Sequence, residues 1–385
     1  MKVLALIPFP IPYSRGSPIK ALETSELIEK SKEVEKFRQI ALKSPDKHNL
    51  KNLTTPPLII TEMGFSFKKL LSYFMLFFLA IREVNKNEYD IIHAHDIEAG
   101  FFAVLLKKFY KIPVVTDLHQ DFEVNLDATN SIFIKTLKPF LMMIERYVLR
   151  NSDKVIAMSQ VWKKDLEKRG YKNIEVLYSS SDIYKPRNTE KIKNKLGLKN
   201  EKVVLYSGNF EPYQGVDLLV DAAELVVKKY KNVKFVLVGN AENSEYPGLI
   251  KRKNLENHFI FTGFINKKET PDYYDLANIL IIPRRKIRFN DMPMPRKITD
   301  YMAAGKAIVA TDVSDHKILI GNDAGVITKP NKESLSKGIL YLLKNSGKTR
   351  KMGKTGLKKL KTRYSWNNFQ KELIRIYKEV TTKAI

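Results

Sequence analysis

A chain of 385 residues is long enough for two domains of ordinary size, each with its own core. The absence of cysteine excludes disulfides and thiolate metal sites and fits a cytoplasmic location. The net charge of +25 is uneven, with 16 Lys and Arg against 3 Asp and Glu in residues 329–385; such a field suits anionic lipid headgroups or phosphorylated substrates, or a solvated helix surface. No zinc-finger, RNP or KH pattern accompanies it, so nucleic acid is not an expected partner.

In chain order, residues 2–8 read as a first buried strand, too short for a signal core and without a cleavage site. A turn over 13–17 carries Gly16, where a backbone N–H can approach a ligand closely. Residues 25–43 are rich in Lys and Glu and read as helix. Residues 67–84 predict a largely apolar helix flanked by Lys68, Lys69 and Arg82, either packed in the core or lying in a membrane interface. Its apolar run, 70–81, is shorter than a membrane span. Strands at 89–94 and 113–118 enclose a helix at 100–110 in a βαβ unit. A helix at 138–150 and strands at 154–158 and 173–177 complete the first half.

Residues 184–200, polar and lysine-rich with Pro186 and Gly197, suit a linker and a short helix, which puts a domain boundary near 184. The first domain is then 1–184 and the second 185–363. The second opens as the first does, with a strand at 203–207 and a glycine-bearing turn at 208–215. Strands at 233–238, 259–261, 279–282 and 307–310 alternate with helices. Trp366, Phe369, Leu373, Ile376 and Tyr377 share one face of a final helix, expected within 364–385 to pack back across the domains.

Residues 292–312 join a loop to a helix and then to a buried strand. Pro293 and Pro295 hold an extended entry, so free backbone N–H groups near Met294 to Arg296 would face the loop mouth, where an anion is stabilised. Gly305 ends the helix and residues 307–310 form a strand covered on both faces.

Several stretches resemble the retaining glycosyltransferases of the GT-B fold, family four. They are Tyr89-Asp90-Ile91-Ile92-His93-Ala94-His95-Asp96, residues 114–119 ending in His119, Glu145-Arg146 through Ser159, residues 206–219 and residues 292–306. The resemblance implies α/β GT-B architecture: two Rossmann-like domains whose parallel sheets face a central cleft. It implies a nucleotide diphosphate sugar as donor substrate, with no cofactor, and a lipid-linked or glycan acceptor. It assigns catalysis to His119 and Lys297, and donor contacts to Gly16, Gly208, Asn209, Gln214, Phe264, Ile265, Pro295, Arg296 and Asp300. Asp117 and Asp121 flank His119, and either can orient it or take the acceptor proton, while His95 is a further candidate or a cap of its loop.

The chemistry is charge management, because breaking a sugar–diphosphate bond puts new negative charge on the leaving group. Many relatives meet it with an Arg and a Lys on the turn after the first donor-domain strand. Here those positions are Asn209 and Gln214. Lys297 can compensate, with Arg284, Arg285, Lys286 and Arg288 in reserve. Of the family's two glutamates, one maps to Met292, with Asp291 adjacent, and the other to Asp300. Six histidines without cysteine show no metal-ligand spacing beyond His93-x-His95, so no metal site is expected. The expected function is metal-independent hexosyl transfer with retention in polysaccharide biosynthesis, at the inner face of a membrane. A catalytically silent GT-B scaffold and a same-fold nucleotide-sugar epimerase are the alternatives.

Overall fold

The computed structural model describes residues 1–11, 16–45, 52–60, 66–129, 131–183, 185–186, 188–242 and 244–382. The chain forms two units: Met1–Tyr178 with Phe369–Ile385, and Ser179–Asn368. Of the turn expected over 13–17, residues 13–15 lie outside the described residues, and Gly16 and Ser17 begin a helix instead.

The first unit contains β1 (Lys2–Ile11), α1 (Gly16–Glu29), β2 (Lys36–Lys43), β3 (Leu53–Thr54), α2 (Phe67–Lys86), β4 (Ile91–His95), α3 (Asp96–Tyr110), β5 (Val114–Asp117), α4 (Phe122–Ala128), α5 (Ile132–Asn151), β6 (Lys154–Ala157), α6 (Gln160–Lys168) and β7 (Ile174–Val176). Its seven strands run in the order β3-β2-β1-β4-β5-β6-β7, and all the pairings are parallel. Parallel pairing needs crossovers, so helices cover the sheet and its strands are near-continuous apolar runs. In β1, every residue from Val3 to Ile11 is buried.

The second unit contains α7 (Thr189–Lys195), β8 (Lys202–Ser207), α8 (Val216–Val227), β9 (Val233–Val238), α9 (Tyr246–Arg252), β10 (Phe259–Phe261), α10 (Thr270–Leu276), β11 (Ile279–Ile282), α11 (Arg288–Asp291), α12 (Lys297–Ala303), β12 (Ala307–Thr311), α13 (His316–Ile320), β13 (Gly325–Thr328), α14 (Lys332–Lys344) and α15 (Ser346–Arg363). Its six parallel strands run β10-β9-β8-β11-β12-β13. Val204, Tyr206, Phe235, Leu237, Ile279 and Val309 form the centre of its core with α8 and α14. The last helix, α16 (Trp366–Thr382), buries Phe369, Leu373, Ile376 and Tyr377.

In each sheet the chain starts centrally, winds one way and then reverses, with the switch between β1 and β4 in one unit and between β8 and β11 in the other. In open α/β sheets, ligands collect beyond the carboxyl ends of the strands at this switch. That rule selects the ends of β1 and β4 in the first unit, with β5 next to them, and the ends of β8 and β11 in the second.

The helix expected over 25–43 is corrected to the end of α1, a turn at 30–35 and strand β2. The Lys and Glu residues concentrate in the last turn of α1 and the loop. Phe37, Ile40, Ala41 and Leu42 pair the strand with β1 in a fully covered position. Charge averaged over nineteen residues concealed an element boundary. The helix expected at 138–150 starts earlier, at Ile132, and runs through Pro139.

Candidate active site

In the second unit, β8 ends at Ser207 and the chain turns through Gly208, whose φ of 150° a side chain rarely adopts. A Cβ at Gly208 would lie 2.5 Å from Lys297 Nζ, so the lysine fills the space that glycine leaves. Lys297 begins α12, donates to Gln214 Oε1 at 2.8 Å and to Tyr206 OH at 3.0 Å, and sits 4.2 Å from the centre of the Tyr206 ring. Gly215 holds φ 72° because a Cβ there would collide with the Pro283 carbonyl oxygen; this close approach brings the turn after β8 against the end of β11.

Arg284 follows directly. Its guanidinium lies 5.9 Å from the Tyr213 ring and its Nε has no hydrogen-bond partner. Neither Lys297 nor Arg284 forms an ion pair among the described residues. Desolvation, followed by the charge of Arg284, holds the Lys297 ammonium well below the usual lysine range, with Asp300 pulling the other way. Burial likewise lowers Arg284. Two desolvated basic groups without bonded carboxylates have the character to receive an anion. His316 stands near this charge: its Nδ1 lies 2.7 Å from the Thr311 carbonyl oxygen, its Nε2 is buried without a partner, and burial pushes it down to about 3.

The structure therefore joins Lys297, Gly208 and Gln214. Asn209 is exposed, its Nδ2 donating to Tyr213 OH at 3.0 Å and its carbonyl accepting from Tyr206 OH. Asp300 accepts from Ser181 Oγ at 2.5 Å and lies 3.6 Å from Arg296 Nε. Arg296 also reaches the Trp366 ring, while Pro295 is buried. Phe264 is 82% exposed and Ile265 half-buried in the loop after β10, with Gly263 accepting from the Gly239 N–H. Asp291 accepts from the Ser314 N–H at 3.1 Å, and Met292 is buried.

In the first unit, His93 and His95 alternate onto one face of β4, and Asp117 of β5 pairs in register with His95. His95 Nδ1 and His119 Nε2 are 2.8 Å apart. Asp117 Oδ2 lies 3.5 Å from His119 Nε2, 3.9 Å from His93 Nε2 and 4.0 Å from His95 Nδ1. Lys20 of α1 donates to Asp117 Oδ1 at 2.8 Å, and Tyr377 OH meets His93 Nδ1 at 2.8 Å. Asp96, in the left-handed conformation at φ 56°, accepts from the His119 backbone N–H at 2.6 Å. Asp121 caps α4, accepting from the Val124 N–H at 3.0 Å.

All three imidazoles are buried. Burial pushes His93 down to about 4, opposed by Asp117 and assisted by Lys20. Burial, the neighbouring histidines and Lys20 also hold His95 and His119 well below the usual range. Sequence reading missed Lys20, Asp96, Tyr377, Tyr206 and His316. Lys20 and Tyr377 are 97 and 284 residues away from their partners, so no local pattern could reveal them.

Two family descriptions match the chain: Glycosyltransferase Family 4 over residues 40–183 and Glycosyl transferases group 1 over residues 188–359. The chain belongs to the GT-B glycosyltransferases of family four and is a glycosyltransferase. Alpha-D-kanosaminyltransferase of Streptomyces kanamyceticus is 21% identical over 303 residues, 75% of this chain and 77% of that protein. Sucrose-phosphate synthase from Thermosynechococcus elongatus superposes with a TM-score of 0.80 at 18% identity over the whole of both chains. Anabaena HepE in complex with UDP superposes with a TM-score of 0.74 at 18% identity, over 98% of this chain and 100% of that one.

Proposed function

We propose that the protein moves a hexosyl unit from a nucleoside-diphosphate sugar to a lipid-linked or polysaccharide acceptor, with retention of configuration. The observation that carries this reading is the pair of desolvated cations, Lys297 and Arg284, beside Gly208 at the switch of the second sheet. A diphosphate leaving group gains negative charge as the glycosidic bond breaks. Cations fixed beforehand in a desolvated site stabilise that charge more than water does. Arg284 then does part of the work that Asn209 and Gln214 cannot do, and Gln214 holds Lys297 in place.

His119 contacts the donor sugar or acceptor through Nδ1, which has no hydrogen-bond partner. The sugar is attacked on the face the diphosphate leaves, the departing phosphate oxygen takes the acceptor proton, and no enzymatic nucleophile is required. Asp300 holds the ribose hydroxyls.

The lipid part of the acceptor reading is supported by α2. Its inward stripe, Ser72, Leu76, Ala80 and Val84, packs on the sheet, while Phe67, Leu71, Phe74 and Phe78 face outward. Phe67 and Phe78 are 78% and 66% exposed, and Ile132, Phe133, Phe140 and Met143 of α5 add further exposed apolar surface. No helix among the described residues is long and apolar enough to cross a membrane, which leaves interfacial docking as the membrane mode.

The test is product analysis by NMR after incubation with UDP- and GDP-hexoses and a panel of lipid-linked and oligosaccharide acceptors. An α-linked product from an α-linked donor supports the reading. Inversion of the anomeric centre, or hydrolysis and transfer absent with every donor that binds, contradicts it.

A further inference from the structure

In the first unit each of two buried groups has one atom anchored and the opposite atom left without a hydrogen bond. Tyr377 OH meets His93 Nδ1, while His93 Nε2 is buried without a partner; Lys20 takes Asp117 Oδ1, while Asp117 Oδ2 is buried without a partner. The two free atoms face each other at 3.9 Å, too far for a hydrogen bond. Asp117 Oδ2 has His95 Nδ1 at 4.0 Å on another side. Leaving a carboxylate oxygen and an imidazole nitrogen unsatisfied in a dry site is expensive, so something else must hold them.

We propose that His93 Nε2, His95 Nδ1 and Asp117 Oδ2 bind a single divalent transition-metal ion, zinc by the chemistry of its ligands, with His95 Nδ1 exchanging its 2.8 Å contact with His119 Nε2 for the ion. The three residues offer ligand atoms that all lie within 4.8 Å of one another. Bonds of about 2.1 Å in a tetrahedron separate the ligand atoms by about 3.4 Å, so the 3.9 and 4.0 Å separations from Asp117 Oδ2 contract by about half an ångström when the three atoms close on an ion. Two imidazoles and a carboxylate suit zinc and its first-row neighbours, and not calcium or magnesium.

The anchored atoms form the outer shell that metal sites require. Tyr377 fixes the ring orientation of His93, and Lys20 fixes the carboxylate of Asp117, each on the atom opposite the ion. A metal here reverses the expectation drawn from spacing alone: His93-x-His95 gives two ligands on one strand face, and the third comes from the neighbouring strand, 22 positions after His95. The ion ties β4, β5 and α16 together. It takes no part in stabilising the diphosphate, which belongs to Lys297 and Arg284.

The proposal does not depend on the transferase reading, because metal content is read without donor or turnover. Elemental analysis of the untagged full-length chain, purified without chelator, is expected to give about one zinc per chain. After removal with dipicolinate, Zn²⁺ should raise the thermal midpoint, and Co²⁺ should produce the visible absorption of a four-coordinate nitrogen and oxygen site. His93→Ala and Asp117→Asn should abolish stoichiometric uptake. Tyr377→Phe, which keeps the apolar packing of α16, should bind Zn²⁺ at least tenfold more weakly. A folded wild-type chain that takes up neither Zn²⁺ nor Co²⁺ stoichiometrically would overturn the proposal, as would unchanged uptake by a folded Asp117→Asn chain.

Discussion

Lys297 Nζ occupies the space that a Cβ on Gly208 would need, 2.5 Å away, so the glycine is the condition for the lysine's position. Gly208→Ala must displace the ammonium from Gln214 and Tyr206 or distort the turn. Nucleotide affinity should fall about tenfold or more, about 1.4 kcal/mol, by calorimetry with UDP. An unchanged dissociation constant in a folded variant would detach Lys297 from nucleotide binding.

The depressed ammonium of Lys297 also predicts a pH dependence of binding. Its free-enzyme pKa is lowered by burial and Arg284, and an incoming diphosphate raises it again. The protonated form binds, so affinity is full below the free-enzyme value and declines as pH rises through it. Lys297→Gln should bind UDP more weakly and lose this component of the pH profile. Parallel profiles in the two proteins would assign the titration elsewhere.

His316 makes a stability prediction in the opposite pH range. Its folded value of about 3 lies below the ordinary 6.5, so between these limits the unfolded chain binds more protons. Stability from this group is present above the unfolded value and lost as pH falls toward the folded one, by up to about 1.4 kcal/mol per pH unit for one proton. Urea denaturation of the wild type and of His316→Asn, whose amide can replace the Nδ1 donor to Thr311, should converge as pH drops from 7 to 5. A constant difference between them would exclude His316 as the cause.

For catalysis, His119→Ala should lower turnover by at least tenfold while leaving UDP affinity within about twofold, because the nucleotide contacts are assigned to residues after β8 and β11. Comparable loss in both, with the fold retained by circular dichroism, would make His119 a donor-binding residue. Unchanged turnover would remove it from the mechanism.

Interfacial docking through α2 predicts two separable contributions in vesicle flotation. The basic residues of the C-terminal segment should give binding that needs anionic lipid and weakens with salt. Phe74→Ser with Phe78→Ser should remove the salt-resistant part. Absence of wild-type binding to anionic vesicles at low salt would exclude a membrane role for both.

Much of this architecture was legible because buried parallel strands are written locally. Residues 233–238, 259–261 and 279–282 are apolar runs whose ends match β9, β10 and β11. Strand β2 was not legible, since its charged flanks dominate the composition around four buried apolar residues. Lys297 and Gly208 could be named from motifs, and Arg284 only as one of four nearby basic residues. What selects Arg284 over Arg285 is the closure of Gly215 on Pro283, while Arg285 pairs with Asp217 on the surface. Of the cluster around Asp117, His95 and His119 were legible from motifs, whereas Lys20 and Tyr377 were not: the packing of α1 and the return of α16 bring them in, and neither is written in spacing along the chain.

Calorimetric titration of nucleoside diphosphates and their hexose conjugates into the wild type and into the Lys297→Met/Arg284→Met double variant tests the central claim most directly. The wild type should bind at least one nucleoside-diphosphate sugar in the micromolar range, and the folded double variant should bind it at least a hundredfold more weakly. Equal affinity in the two proteins would contradict the assignment of the diphosphate site to these cations.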